Sequence, residues 1–94
     1  MSTHEVTSPL PGTFYSRESP TSDPFVEVGS TVAAGDTVGL VEVMKMFHPV
    51  VTDVAGTVTE IRVETEDSVE VGDILVLLGR PADLVMVEKR LLRG

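Results

Sequence analysis

Val32-Ala33-Ala34-Gly35-Asp36-Thr37 returns 37 residues later as Val69-Glu70-Val71-Gly72-Asp73-Ile74. Gly-Asp ahead of an apolar run marks a tight turn, in which glycine supplies a positive φ at no steric cost. A second echo flanks the first: Gly12-Thr13-Phe14 returns as Gly56-Thr57-Val58 at an offset of 44. Each half therefore reads as Gly-Thr, a strand, a turn, Val-x-x-Gly-Asp and another strand. Such self-similarity points to two halves related by a pseudo-twofold axis. Neither half can bury an apolar face alone, so the pair is expected to close a small sandwich or flattened barrel.

The stretches between these turns are short and rich in Val, Ile, Thr and Phe, bounded by Gly, Pro, Asp and Ser, which is the grammar of an all-β chain. Strands are predicted near Glu5–Ser8, Thr13–Tyr15, Phe25–Val28, Thr37–Val43, Met46–Val51, Thr57–Val63 and Ile74–Leu78. Alternation is clear where Val58, Glu60 and Arg62 oppose Thr57, Thr59, Ile61 and Val63, and helical periodicity is weak through residue 80.

The two offsets differ by seven residues, so the first half carries a seven-residue insertion between Gly12 and Val32. Arg17-Glu18-Ser19-Pro20-Thr21-Ser22-Asp23-Pro24 is the candidate, being polar and unable to continue a strand past its prolines. Loops on rigid scaffolds often carry binding, and an inert insertion is the other reading; the loop alone leaves both open.

Composition narrows the function. At 94 residues the chain fits one domain, and a chain of this size buries only roughly 60–65% of its unfolded surface. That leaves little room for a deep catalytic cleft, so a self-sufficient enzyme is not expected. No cysteine is present, which removes disulfides and thiolate chemistry. A formal charge of −8 disfavours binding to a phosphate backbone, so no nucleic-acid partner is expected. The sequence starts without a basic stretch or apolar run, unlike a signal peptide. No window approaches the 18 or so apolar residues that span a bilayer, and a cytoplasmic location is the expectation. His4 and His48 have no nearby Cys or spaced His partner, so no metal site is expected.

Between the halves lies Glu42-Val43-Met44-Lys45-Met46-Phe47. By the logic of the repeat, one half turns back into the other here, and Lys45 projects from a hairpin. Two methionines flank it, in a chain with only four. Methionine is flexible and polarisable, and suits a surface that another protein must fit. A lysine amine attacks an activated carboxyl group only when neutral, and an exposed lysine is mostly charged near neutral pH. Nothing in the neighbouring sequence desolvates this one, so a separate ligase would have to take the proton. What Lys45 offers is a long stem that holds a group away from the domain.

These motifs together resemble the biotinyl domain of the biotin carboxyl carrier proteins, over about residues 4–79. Glu42-Val43-Met44-Lys45-Met46 resembles the family's Glu-Ala-Met-Lys-Met signature. Ser8-Pro9-Leu10-Pro11-Gly12-Thr13-Phe14-Tyr15, Phe25-Val26-Glu27-Val28-Gly29 and Gly35-Asp36-Thr37 resemble the acetyl-CoA carboxylase type. The resemblance implies a flattened β-barrel of two four-stranded sheets with Lys45 on a tight hairpin. It implies biotin as cofactor, amide-linked to Lys45 by a biotin protein ligase, with Met44 and Met46 important for recognition. It implies a non-catalytic carrier that takes carboxybiotin from a biotin carboxylase to a carboxyltransferase, the partner that selects the acceptor. The insertion matches the family's "thumb", which assigns Ser19, Pro20, Thr21, Ser22, Asp23 and Pro24 a candidate role against the biotin ring. Val43 departs from the family's alanine and adds bulk beside the turn. The long Ala/Pro-rich region that precedes this domain in many carriers has no counterpart here, so a short free-standing subunit is expected.

On this reading residues 1–80 form the carrier domain and 81–94 a C-terminal extension. Asp83 is placed to cap a short helix with Leu84, Val87 and Leu91 on one side. Lys89, Arg90 and Arg93 make the end basic, as a docking element or a loose tail. The alternatives are a lipoyl-type swinging-arm domain, an unmodified binding module, and a biotin carrier of a decarboxylase or transcarboxylase. Methionine on both sides of Lys45 argues against the lipoyl reading, whose turns resemble Asp-Lys-Ala.

Overall fold

Eight strands follow the punctuation of the sequence through residues 3–80, the part of the chain that the computed structural model describes. They are β1 His4–Thr7, β2 Gly12–Tyr15, β3 Thr31–Val32, β4 Thr37–Val43, β5 Met46–Val51, β6 Gly56–Ile61, β7 Ser68–Val69 and β8 Ile74–Gly79. They form two four-stranded antiparallel sheets, ordered β1-β8-β6-β3 and β5-β4-β2-β7. Each sheet draws two strands from each half of the sequence, so the halves interlock as the repeat demanded. No helix among the described residues is long and apolar enough to cross a membrane. The helix expected to start at Asp83, with the rest of the C-terminal extension, lies outside the described residues.

The pseudo-twofold axis is written in the hydrogen bonds. Gly35 and Gly72 hold φ of 94° and 89°. Beside them the Ala33 and Glu70 amides donate to Asp36 Oδ2 and Asp73 Oδ2, both at 2.8 Å. The Gly35 amide then donates to the Thr52 carbonyl, and the Gly72 amide to that of Ser8. Buried Ser8 and Thr52 use their hydroxyls alike, donating to the Leu10 and Val54 carbonyls. These local bonds satisfy polar groups that would otherwise be costly to bury.

Between the sheets the core falls into twofold pairs: Val6 with Val50, Phe14 with Val58, Val26 with Val63, Val32 with Val69, Val38 with Leu75, and Val41 with Leu78. A side chain of this kind, fully buried, stabilises the fold by about 1.5–3 kcal/mol relative to exposure. One pair is unequal, since Phe14 is far larger than Val58. Gly39, the mate of Val76, makes the room: a Cβ there would run into Phe14 Cε1 and Cζ.

Three expectations change. Phe25–Val28 is not a strand. Val26 is buried as a strand residue would be, but the chain turns at once, with Ser30 N–H donating to the Glu27 carbonyl and Gly29 at φ 100°. The two-residue strands β3 and β7 show no alternation in sequence, because alternation needs length. The insertion is also larger than its net count. Pairing of β6 with β8 skips from Val58 to Glu60, a bulge at Thr59 that β2 lacks against β4. The first half therefore inserts all eight residues 17–24, closed by Phe25 N–H donating to the Ser16 carbonyl at 2.9 Å, and the one-residue bulge in the second half leaves seven.

Candidate functional site

Lys45 sits at the tip of the β4–β5 hairpin, where Val43 pairs with Met46 and only Met44 and Lys45 lie between the strands. Both have left-handed backbones, φ 51° and 66°. This is the hand of two-residue turns that matches the twist of the flanking strands, and it usually calls for Asn-Gly. Two ordinary L-residues in that conformation are a local strain, costing on the order of 1–2 kcal/mol each. The strain is held by the six residue pairs of the β4–β5 ladder, from Thr37 with Val51 to Val43 with Met46.

The turn is laid open to solvent. Met44 is 91% exposed, Met46 is 64% exposed, and Lys45 is exposed as well. Lys45 enters no ion pair with a described residue. A free primary amine on a strained, solvent-facing turn fits a covalent attachment point. It does not fit a buried catalytic amine, which desolvation would have to activate.

The stem of the hairpin is firmer. Val43 is half-buried and packs its branched side chain against the core. Glu42, half-buried beside it, accepts a hydrogen bond from the Tyr15 hydroxyl at 3.1 Å. That bond, and after it partial burial and the charges of Glu42 and Glu66, raises the Tyr15 phenol above its ordinary range. The Tyr15 ring meets Phe47 edge-on at 5.6 Å. Phe47 pairs with Glu42 across the ladder and remains 55% exposed.

Residues 17–24 fold back toward this aromatic pair. The Ser22 amide donates to the Ser19 carbonyl at 3.1 Å, the Ser19 and Ser22 hydroxyls lie 2.8 Å apart, and Arg17 donates to the Ser22 carbonyl at 3.1 Å. A groove of about 370 Å³ results, with Arg17, Glu18, Ser19 and Pro20 on one wall, Tyr15 and Phe47 on another, and Thr65 and Glu66 closing it. Of the loop residues singled out in sequence, Ser19 and Pro20 face this groove. Thr21, Asp23 and Pro24 do not line it, and Ser22 acts by bracing Ser19 and Arg17. The sequence reading missed Tyr15 and Phe47 as site residues. Their signal was scarcity: aromatics are 4% of the chain, and two of them meet beside the turn.

The histidines are twofold mates with different surroundings. His4 Nε2 lies 3.1 Å from Asp53 Oδ1, whereas His48 is half-buried on β5 opposite Val41.

Comparison with known proteins finds chains similar to this one. The family model described as "Biotin-requiring enzyme" matches residues 4–78. The biotin carboxyl carrier protein of acetyl-CoA carboxylase from Haemophilus influenzae is 41% identical over 78 residues, which is 83% of this chain and 50% of that protein. Its counterpart from Pseudomonas aeruginosa is 49% identical over 65 residues, 69% of this chain and 42% of that one. The chain thus spans half or less of the length of these relatives. Among solved structures, the Kluyveromyces lactis urea carboxylase superposes with a TM-score of 0.69 at 29% identity, covering 84% of this chain and 6% of that one. A single-chain, multi-domain long-chain acyl-CoA carboxylase gives the same TM-score, 0.69, at 26% identity, covering 97% and 8%.

Proposed function

The chain belongs to the biotin-requiring enzyme family, and from that premise we propose that it is the biotin-carrying part of a biotin-dependent carboxylase of the acetyl-CoA carboxylase type, modified on Lys45. The observation that carries this reading is the strained turn at Met44 and Lys45, which holds out in solvent an amine that forms no ion pair with a described residue.

Lys45 Nζ would hold biotin in an amide bond, giving up a proton to the ligase as the C–N bond to the activated carboxyl carbon forms and the bond to the activating group breaks. Met44 and Met46, one on each side and both exposed, are the apolar surface the ligase reads. The strand pair beneath keeps the turn in one shape, so the ligase need not order it.

Biotin supplies a ureido nitrogen that accepts a carboxyl group at one site and gives it up at another. The domain breaks no bond of the substrate. Its part is to hold the group on a long stem and so raise its local concentration at a biotin carboxylase and a carboxyltransferase. The groove beside Phe47 and Ser19 is the place on this chain that suits the ring end of the group, with Tyr15 and Phe47 as apolar walls and Arg17, Glu18 and Ser19 as polar ones. Thr21 and Ser22 brace that wall through their hydroxyls, 3.3 and 2.8 Å from the Ser19 hydroxyl, and Asp23 and Pro24 complete the thumb in sequence.

Intact-protein mass after co-expression with a biotin ligase tests the assignment. One biotinyl group is expected on the wild-type chain and none on Lys45→Arg. Retention of the added mass by Lys45→Arg would remove Lys45 from the assignment.

A further inference from the structure

The duplication supplies an internal control for the outer face of each sheet. On the sheet that carries the Lys45 hairpin, Tyr15, Leu40 and Pro49 stand in one row across β2, β4 and β5. Their twofold mates on the other sheet are Glu60, Leu77 and Glu5, in the matching row across β6, β8 and β1. The central leucine is kept, while an aromatic ring and a proline ring replace the two carboxylates. The neighbours change in the same sense. Phe25 stands where the other sheet has Arg62, which pairs with Glu60 at 2.9 Å. Phe47 and Val51, both exposed, stand where it has Thr3 and Thr7. One backbone plan thus presents a solvated polar face on one sheet and an apolar face on the other, and a contiguous apolar face marks an interaction surface.

A groove of about 380 Å³ crosses the apolar face, lined by Phe25, Thr37, Leu40, Phe47 and Pro49 with exposed Glu18 beside them. Phe47 and Glu18 also line the groove at the thumb, so the face continues up to the Lys45 turn. Its edge is poorly suited to strand addition, because Pro49 has no N–H to offer in β5, the outermost strand of its sheet. A partner would meet the face itself. Around that face stand Glu18, Glu42 opposite Phe47, and Glu66 in the adjoining groove. Of the nearby cations, Arg17 donates to the Ser22 carbonyl, and Lys45 loses its charge when its amine becomes an amide. A second copy would set these carboxylates against one another, a costly juxtaposition. A carboxylase that draws its carboxyl group from an anion such as bicarbonate has to hold negative charge where the biotin ring enters, so basic groups stand at its mouth. The reacting end of an acyl thioester, met at a carboxyltransferase, has no such charge.

We propose that the outer face of β5, β4 and β2, centred on Phe25, Leu40 and Pro49, is the surface by which this chain docks on the basic-rimmed mouth of a biotin carboxylase. The inference rests on the carrier reading of Lys45. It adds that the two faces of a duplicated domain are unequal, and that one of them seats the domain while the hairpin beside it enters the partner.

The twofold mates supply the variants, since the same backbone plan already holds them in the other sheet. The full-length chain is biotinylated, checked by intact mass, and used as the substrate of a biotin carboxylase. Phe25→Arg with Pro49→Glu should raise KM by about tenfold and leave kcat within about twofold, as loss of docking alone predicts. The absence of cysteine permits a second measurement that needs no loss of binding. Pro49→Cys should react readily with a maleimide in the free chain and about tenfold more slowly under saturating biotin carboxylase, as an interface that excludes solvent requires. Its mate Glu5→Cys should react at one rate throughout. Slow reaction of Pro49→Cys in the free chain would assign the face to a second copy or to residues 81–94, and overturn the proposal. Protection by a carboxyltransferase but not by the biotin carboxylase would overturn it too, as would an unchanged KM in the double variant. A wild-type chain that takes no biotin would instead bring down the carrier reading, and this inference with it.

Discussion

Met44→Gly separates the strain in the turn from the chemistry it serves. Met44 is 91% exposed, so its removal leaves no cavity. Its φ of 51° is left-handed, which costs an L-residue on the order of 1–2 kcal/mol and glycine nothing. Against this, glycine loses more backbone freedom on folding, a cost of roughly 0.5–1 kcal/mol. Mid-range values of the two terms leave a net gain of about 0.75 kcal/mol. For a domain of this size that corresponds to a rise in melting temperature of about 3–6 °C. Thermal and urea melts of the unmodified chain read it directly. Met44→Ala is the control, because it trims the same exposed side chain but keeps the left-handed penalty, and it should stay within about 0.5 kcal/mol of wild type. If Met44→Gly melts no higher than Met44→Ala, the turn is not strained and the argument from its backbone fails. The same pair of variants reads recognition: both lose the thioether, so both should be biotinylated more slowly than wild type, whatever their stability.

Other outcomes follow from the twofold mates and the hairpin stem. Gly39→Val forces a side chain into the Phe14 ring and should destabilise by about 2–3 kcal/mol; adding Phe14→Val recreates the Val58–Val76 pair of the other half, and a denaturation cycle should show at least about 1 kcal/mol of favourable coupling. Additive losses would mean the two positions do not share one space. Asp36→Ala and Asp73→Ala each remove one carboxylate bond to a turn amide at 2.8 Å, so urea melts should place both losses near 1 kcal/mol and close to each other; a large inequality would break the twofold equivalence. Tyr15 is the one tyrosine in the chain, so its ultraviolet titration is unambiguous. The midpoint should lie above the ordinary value of about 10, chiefly through the Glu42 bond, and Glu42→Ala should bring it down. Because the folded value is the higher one, the protonated phenol's contribution to stability is present below about pH 10 and is lost as pH rises through the folded value. An unmoved midpoint in Glu42→Ala would leave the raised value without its cause.

The sequence by itself determined the β architecture, its duplication, the polar insertion and the place of Lys45 between the halves. These features are legible because their codes are short-range: Gly35-Asp36 and Gly72-Asp73 make turns with their own neighbours, through a positive φ and a carboxylate bond to an amide three residues back. Tertiary structure decided what depends on distant partners. Phe25–Val28 has the composition of a strand but turns at Glu27–Ser30 before a ladder can form, while Thr31–Val32 and Ser68–Val69 become strands only because β6 and β2 lie beside them. The eighth inserted residue was hidden by a bulge at Thr59 in the other half. Phe47 looks like a core residue until its pairing with Glu42 sets it, exposed, against Tyr15 and the loop at Ser19. Met44 and Lys45 offer no glycine or asparagine to announce a left-handed turn. The register of β4 on β5 leaves just two residues to reverse the chain, and the twist of the strands selects the hand that L-residues resist.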